Sequence, residues 1–448
     1  MIVEDLTTGP ISGHFRRIAV PAAIGMLFST LYNLVDTFFA GQIGTAAQAG
    51  LSIGYQALFL FVTLGFGLSS AMSALVGNAR GAKDLPGARH LAAQGIGFAV
   101  IASISLVIAA HLAGPFLIQL VSDPGDYRAA AQDYYQTLIL ALPGFVMAYG
   151  GNGILQARGD TQSLQRALVV AFFVNIGLNP TLMYGIPGIL PGLGVTGIAL
   201  ATAISQTGVA VFIMMRIFGR AMMQGLTRQD FRPVGVKYAA IASQAFPASL
   251  ALLITFASGF LIQYALKFYG EGTVAAYGIA MRIEQLFLLP AIGITIALVP
   301  IAAQNYGAGH THRVRKAFQL CCILVIIATA CAFPVFWFFG GWATSFFSDD
   351  PAVIADGALF LRFEAVILPA YAIMFAINSV LQALKAAVWT LWIGIYRQAI
   401  GMALFIWLFT WVFDLGVFGV RLGMATAVVT GLALALVVFA QVTRRRLV

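Results

Sequence analysis

The sequence predicts an all-α membrane protein, with twelve transmembrane helices in two six-helix lobes related by pseudo-two-fold symmetry along the membrane normal. Three observations predict it. The first is composition: of 448 residues, 60% are hydrophobic and 9% charged, and the mean hydropathy is +0.91. Soluble proteins carry about 25% charged residues, so this chain cannot cover a water-facing surface and reads as polytopic. The second is a series of twelve apolar runs, each long enough to cross about 30 Å of hydrocarbon. The third is an internal repeat.

The runs lie at 15–40, 51–78, 88–121, 129–157, 162–186, 194–218, 236–268, 275–304, 314–345, 354–383, 388–412 and 417–443. The longer ones are expected to tilt or to extend past the lipid. The first is expected to remain as a helix and not to be removed as a signal peptide.

Basic residues orient the bundle. With the N-terminus in the cytoplasm, Arg16, Arg17, Arg80, Lys83, Arg89, Arg158 and Arg166 all fall inside. So do Arg216, Arg220, Arg228, Arg232, Lys237, Arg313, Arg315, Lys316, Lys385 and Arg444 to Arg446. The opposite side holds Arg128, Lys267, Arg362 and Arg421 beside Asp123, Asp126, Asp349 and Asp350. Both termini are therefore expected in the cytoplasm. The net charge of +9 reads as topology, with no nucleic-acid partner. Cys321, Cys322 and Cys331 share one apolar segment and read as packing residues, without disulfide or metal spacing.

The repeat keeps a fixed offset of 226 in residue number: Pro21 matches Pro247, Gly67 matches Gly293, Arg89 matches Arg315, and Asn152 matches Asn378. Gly81-Ala82 matches Gly307-Ala308, and Leu155 to Ala157 matches Leu381 to Ala383. Later the offset slips to 222, where Leu193 to Val195 meets Leu415 to Val417. Six helices return a chain to its starting side, so both copies have one orientation. The expected domains are a first lobe over 1–219, a cytoplasmic linker over 220–237 and a second lobe over 238–448. Two lobes of this kind are the plan of secondary transporters. No phosphate-binding Gly-x-x-x-x-Gly-Lys-Ser/Thr loop is present, so ATP is not the expected energy source. No nucleophile–base pair or metal cluster stands at one depth, so no enzyme activity and no cofactor are expected.

The first lobe carries a polar constellation inside its helices. Asp36 lies four or five residues from the outer end of the first run, about 6–8 Å at the helical rise. Asn179 and Thr202 lie at a similar depth in the fifth and sixth runs. One turn deeper stand Tyr32, Asn175 and Gln206, each four residues from its partner and so on the same helix face. Asn152 of the fourth run is expected to join from below. Pro180 removes a hydrogen bond from the carbonyl of Ile176. A carboxylate among amides and a free carbonyl makes an oxygen site for Na⁺, and the same carboxyl in an apolar pocket can instead carry a proton. An acid inside a membrane helix costs about 2.5–3.5 kcal/mol and is functional by default. Asn, Gln and Thr there often only bond neighbouring helices.

The second lobe does not repeat the acid, since Ile262 stands where Asp36 would match. Its eighth run carries Arg282 and Glu284, read either as a structural pair, with each other or with Arg397, or as part of the transport cavity. Arg362 and Glu364 read as structural residues nearer the outer rim.

These residues resemble a known family. Pro21 followed by Asp36-Thr-Phe-Phe-Ala-Gly41 is similar to the first helix of multidrug and toxic compound extrusion (MATE) transporters. Gly77 to Ala82, Ala303 to Ala308 and Asn152 to Ala157 also look like that family's segments. Arg282-Ile-Glu284 ahead of Pro290 resembles its DinF-like prokaryotic branch. The resemblance implies cation-driven export of organic cations, with Asp36 as the coupling acid and Asp36, Asn175, Asn179 and Thr202 as the site for H⁺ or Na⁺. Tyr32, Asn152, Gln206, Arg282 and Glu284 are expected at the substrate cavity. DinF-like relatives often have an acid where Asn179 stands, so one carboxylate fewer favours protons here. NorM-like relatives have acids in helices 7 and 10, where this chain has Gln263 and Ala376-Ile377-Asn378.

The expected function is thus a secondary antiporter that exports amphipathic organic cations or drugs in exchange for H⁺ or Na⁺ by alternating access. A lipid-linked precursor flippase of the same superfamily is the alternative, and a membrane-embedded enzyme is weaker still. The chain is expected to be a monomer in the lipid bilayer of a prokaryotic plasma membrane.

Overall fold

A computed structural model describes residues 5–122, 124–219 and 225–447. Asp123, Arg220 and linker positions 221–224 lie outside the described residues. Among the described residues, twelve helices are long and apolar enough to cross a membrane. They are α1 Ile11–Ile43, α2 Thr45–Gly81, α3 Leu85–Val121, α4 Asp126–Gln156, α5 Gln162–Tyr184 and α6 Gly194–Phe218. The second six are α7 Gly235–Tyr269, α8 Glu271–Gly307, α9 Thr311–Phe338, α10 Pro351–Ala383, α11 Val388–Val412 and α12 Gly416–Arg446. Each corresponds to one apolar run of the sequence. No strand is present among the described residues beyond one isolated bridge, Ile186 with Leu190.

Three departures from regular helix have local causes. The ninth apolar run extends to 345, but α9 stops at Phe338 and a separate turn, Gly340–Ser345, follows. The Gly340–Gly341 pair costs helix propensity at that point. In α4 the turn Ile139–Ala141 tightens to a 3₁₀ geometry. Pro143 cannot donate to the carbonyl of Ile139, and the Leu142 N–H takes that carbonyl instead. In α11 two π-helical turns occur, at Tyr396–Gly401 and Leu408–Val412. Pro21, Pro115, Pro180, Pro247, Pro290, Pro300 and Pro369 all sit inside helices that continue through them.

Leu112, Phe116 and Leu120 of α3 stand 74, 66 and 70% exposed at a spacing of four. Such an apolar stripe on a membrane helix is a lipid-facing surface.

By packing, the chain falls into two compact units, one holding Ile24–Ser249 and the other Leu6–Ala23 with Leu250–Val448. The chain therefore passes from one unit to the other inside α1 and again inside α7. Glycines show how each unit holds the borrowed segment. In the first unit, a Cβ on Gly67 of α2 would lie 2.4 Å from the Ala245 carbonyl oxygen and 2.9 Å from the Ser249 nitrogen. In the second, a Cβ on Gly293 of α8 would lie 3.0 Å from the Ala19 carbonyl oxygen and 3.0 Å from the Ala23 nitrogen. Gly67 and Gly293, Ala19 and Ala245, and Ala23 and Ser249 are all related by the repeat offset, so the two close approaches are copies of one another.

The segments ahead of α1 and α7 are clamped in the same way. Gln94 of α3, fully buried, donates to the carbonyls of Asp230 and Arg232 at 2.7 Å each and accepts from the Val234 N–H at 2.9 Å. In the second unit Gln304 accepts from the Leu6 N–H at 2.9 Å, and Asn305 donates to the Leu6 carbonyl at 3.0 Å. Leu6 and Arg232 are again related by the repeat offset. Asp230 caps its own turn by accepting from the N–H and hydroxyl of Thr227 at 2.7 and 2.9 Å. Those bonds hold its carboxyl below the usual carboxylate range.

Candidate functional site

Three helices of the first unit bring the predicted polar residues together. α1 supplies Tyr32 and Asp36, α5 supplies Asn175 and Asn179, and α6 supplies Thr202 and Gln206. Asp36 is 3% exposed, Thr202 1%, and both asparagines 0%, so the group is closed off from bulk water. The Asn179 amide donates to Asp36 Oδ1 at 2.8 Å, and the Thr202 hydroxyl donates to Asp36 Oδ2 at 2.8 Å. The same Asn179 amide donates to Asn175 Oδ1 at 3.1 Å, and Asn175 donates to the Tyr32 hydroxyl at 3.0 Å. The spacings Tyr32–Asp36 and Asn175–Asn179 read from the sequence thus become faces of a shared network, while Gln206, one turn from Thr202, lines the adjoining cleft. Asn179 Oδ1 is buried without a partner, an acceptor beside the carboxylate that remains open to a proton donor or a cation.

Both donors to Asp36 are neutral. A buried carboxylate held only by neutral donors carries charge that its surroundings do not cancel, and such a group stays in place by binding a cation or a proton.

Beside this network lies a small cleft of about 40 Å³. Tyr32, Thr202 and Gln206 form its polar side, and Tyr55, Phe66 and Tyr149 belong to its aromatic side. Phe66 and Tyr149 pack with ring centroids 4.2 Å apart. No Lys or Arg lines it. Asp36 does not line it either: Thr202 stands between, with its residue on the cleft wall and its hydroxyl on the acid.

Not every expected residue joins. Asn152 on α4 is buried, but its Oδ1 has no partner and it neither lines the cleft nor bonds to the Asp36 network. The turn of α4 carries its side chain elsewhere. Arg282 is exposed and does not pair with Glu284. With a spacing of two on one helix, the two side chains diverge by about 200°.

The rim position expected of Glu364 is corrected by the structure. The residue is 8% exposed, and Glu284, Glu364 and Arg397 lie within electrostatic reach of one another in the second unit. A signal for this is present in the sequence. Glu284 stands thirteen residues from the start of α8 at Glu271, and Glu364 thirteen from the start of α10 at Pro351, so the two share one depth in helices of the same direction in the repeat.

Known proteins share the sequence pattern and the fold of this chain. The sequence profile of the MatE family matches residues 21–181 and 247–408. The chain belongs to the MatE family. The two matched segments begin at Pro21 and Pro247, so the family's unit is the repeat itself. Among curated MatE-like relatives, an FAD transporter of Shewanella oneidensis is 28% identical over 377 residues, covering 82% of this chain and 80% of its own length. A probable multidrug resistance protein, NorM, of Idiomarina loihiensis is 24% identical over 83% of this chain and 80% of its own length. A crystal structure of MATE in the bent conformation superposes with a TM-score of 0.90, at 23% identity, over 99% of this chain and 98% of that one. The last likeness bears on the fold, which is that of MATE transporters.

Proposed function

We propose that this MatE protein is a secondary antiporter that exports amphipathic organic cations or drugs in exchange for H⁺, with Asp36 as the coupling acid. The observation that carries the reading is the placement of Asp36: buried, bonded by neutral Asn179 and Thr202, and one side chain away from an aromatic cleft without basic residues. A cationic substrate in the cleft and a proton on Asp36 are two ways to supply the same missing positive charge. Coulomb repulsion between them at low dielectric makes the two bindings compete. Exchange follows if the transporter turns over only with one or the other bound. Protonation also weakens what Thr202 donates to, so the cleft wall senses the state of the acid.

Na⁺ is the second candidate for the same oxygens of Asp36, Asn175, Asn179 and Thr202. The single carboxylate favours the proton. Relatives named as multidrug resistance and export proteins support the drug reading. FAD, carried by another relative, brings a pyrophosphate for which the cleft offers no Lys or Arg. The reading places the protein as a monomer in a prokaryotic plasma membrane with both termini in the cytoplasm. A reporter fused to the C-terminus is expected inside.

The test is efflux of a fluorescent lipophilic cation and of FAD from proteoliposomes, with pH and Na⁺ gradients imposed separately. A pH gradient is expected to drive export of the cation, and Asp36→Asn to abolish it with reconstitution unchanged. Full efflux by Asp36→Asn refutes the reading, and drive by Na⁺ alone replaces the proton with Na⁺.

A further inference from the structure

We propose that Glu284, Glu364 and Arg397 form a second proton-binding site, in the second unit, distinct from Asp36. The proposal goes beyond the coupling role of Asp36 and does not need it. Arg397 lies in the first π-helical turn of α11 and is 6% exposed. Its guanidinium carbon stacks 4.1 Å over the Tyr371 ring of α10, and its Nη1 has no hydrogen-bond partner. π-turns inside α-helices frequently mark functional sites. The stem of Arg397 runs along Gly431 of α12, where a Cβ would come within 2.8 Å of its Cγ.

Charge counting then sets the chemistry. Arg keeps its proton in proteins, so the cluster holds one positive charge against two carboxyls. With both acids ionised it carries a net charge of −1, with Glu364 and Arg397 buried and Glu284 partly buried. One proton, taken from water onto either carboxylate, leaves one neutral acid and one Arg–carboxylate pair, and the charges then cancel. The proton is shared by the pair of acids and belongs to neither alone.

The other titratable groups nearby do not supply the missing charge. Tyr277 on α8 and Tyr371 on α10 lie near the acids, and a phenol carries no positive charge in either of its forms. Arg421 on α12 is engaged at 2.6 Å by Asp356 of α10. Arg282 and Arg362 are exposed. α7 contributes Thr255 and Ser258, both bonded to Gln398 and neither titrating.

The experiment is infrared difference spectroscopy of the full chain in lipid nanodiscs, titrated from neutral to alkaline pH in an Asp36→Asn background. A carboxylic-acid carbonyl band is expected at neutral pH and is expected to vanish on alkalinisation. Either Glu284→Gln or Glu364→Gln leaves one acid opposite Arg397, so either is expected to remove the band. Arg397→Gln leaves two acids without a cation and is expected to raise the band about twofold. The proposal is overturned if the background protein shows no such band, if the band survives both glutamine variants, or if Arg397→Gln leaves it unchanged. The three variants probe the cluster separately, so a folding failure in one does not decide the outcome. Because Asp36 is absent throughout, these results stand apart from the efflux test of Asp36.

Discussion

A carboxylate with two neutral donors is sensitive to the loss of either. Thr202→Val keeps the shape of the side chain and removes the hydroxyl that reaches Asp36 Oδ2 at 2.8 Å. Hydrogen bonds to charged groups are worth about 1.5–3 kcal/mol, so coupled efflux is expected to fall about tenfold or more, measured as initial rate in proteoliposomes. Asn179→Asp places a second acid where the unpaired Oδ1 now stands. Two carboxylates at one site bind a metal cation better than one does, and Na⁺-stimulated efflux is expected to appear where the parent shows none. No change in ion preference would remove Asn179 from the site. These residues are legible in the sequence because depth and a spacing of four can be read without coordinates. Glu364 escapes that reading although the same counting applies to it, because a charged neighbour, Arg362, suggests the rim while the distance from the helix end does not. Asn152 fails for the opposite reason: its depth is right, but the direction of a side chain around the helix axis depends on packing.

At the level of elements, glycines decide which helices lie close. A Cβ on Gly197 of α6 would meet the Leu182 carbonyl oxygen of α5 at 2.6 Å, and one on Gly419 of α12 would meet that of Phe409 of α11 at 2.6 Å. These two glycines are related by the offset of 222 to which the repeat slips in its last part. Backbone cannot retreat as a flexible side chain can, so Gly197→Ala and Gly419→Ala are each expected to cost about 1–3 kcal/mol. The check is thermal melting in detergent, with Gly208→Ala, where nothing lies within 4 Å, unchanged as a control. All twelve helices are legible in the sequence, because a membrane demands long apolar runs and little else. The break after Phe338 and the π-turns of α11 are not, since neither breaks the run of apolar residues that hydropathy reads.

On the scale of the whole molecule, the chain order and the packing order differ. The first half contains α1 to α6, yet Gly67 of α2 is closed by Ala245 and Ser249 from α7. Splitting the chain after Gly225 is therefore expected to give two halves that are each aggregated alone and monodisperse together, scored by co-purification and size exclusion. A first half that is monodisperse by itself would count against this. The repeat is legible, since a constant offset of loop glycines and prolines survives sequence drift. That each repeat begins in the opposite unit is not, because an offset records which residues correspond and not which of two identical grooves a segment fills.

That exchange has an implication for ancestry. A lone six-helix copy would carry the groove at Gly67 and also the segment at Ala19 and Ala23 that fits such a groove, but the fit is to another copy. Two unlinked copies would satisfy each other reciprocally, as swapped homodimers do. Joining them by a short linking segment would then freeze the pairing and free the two halves to differ, with Ile262 in one where the other has Asp36. The present asymmetry of charge is what gene fusion permits and a symmetric dimer forbids.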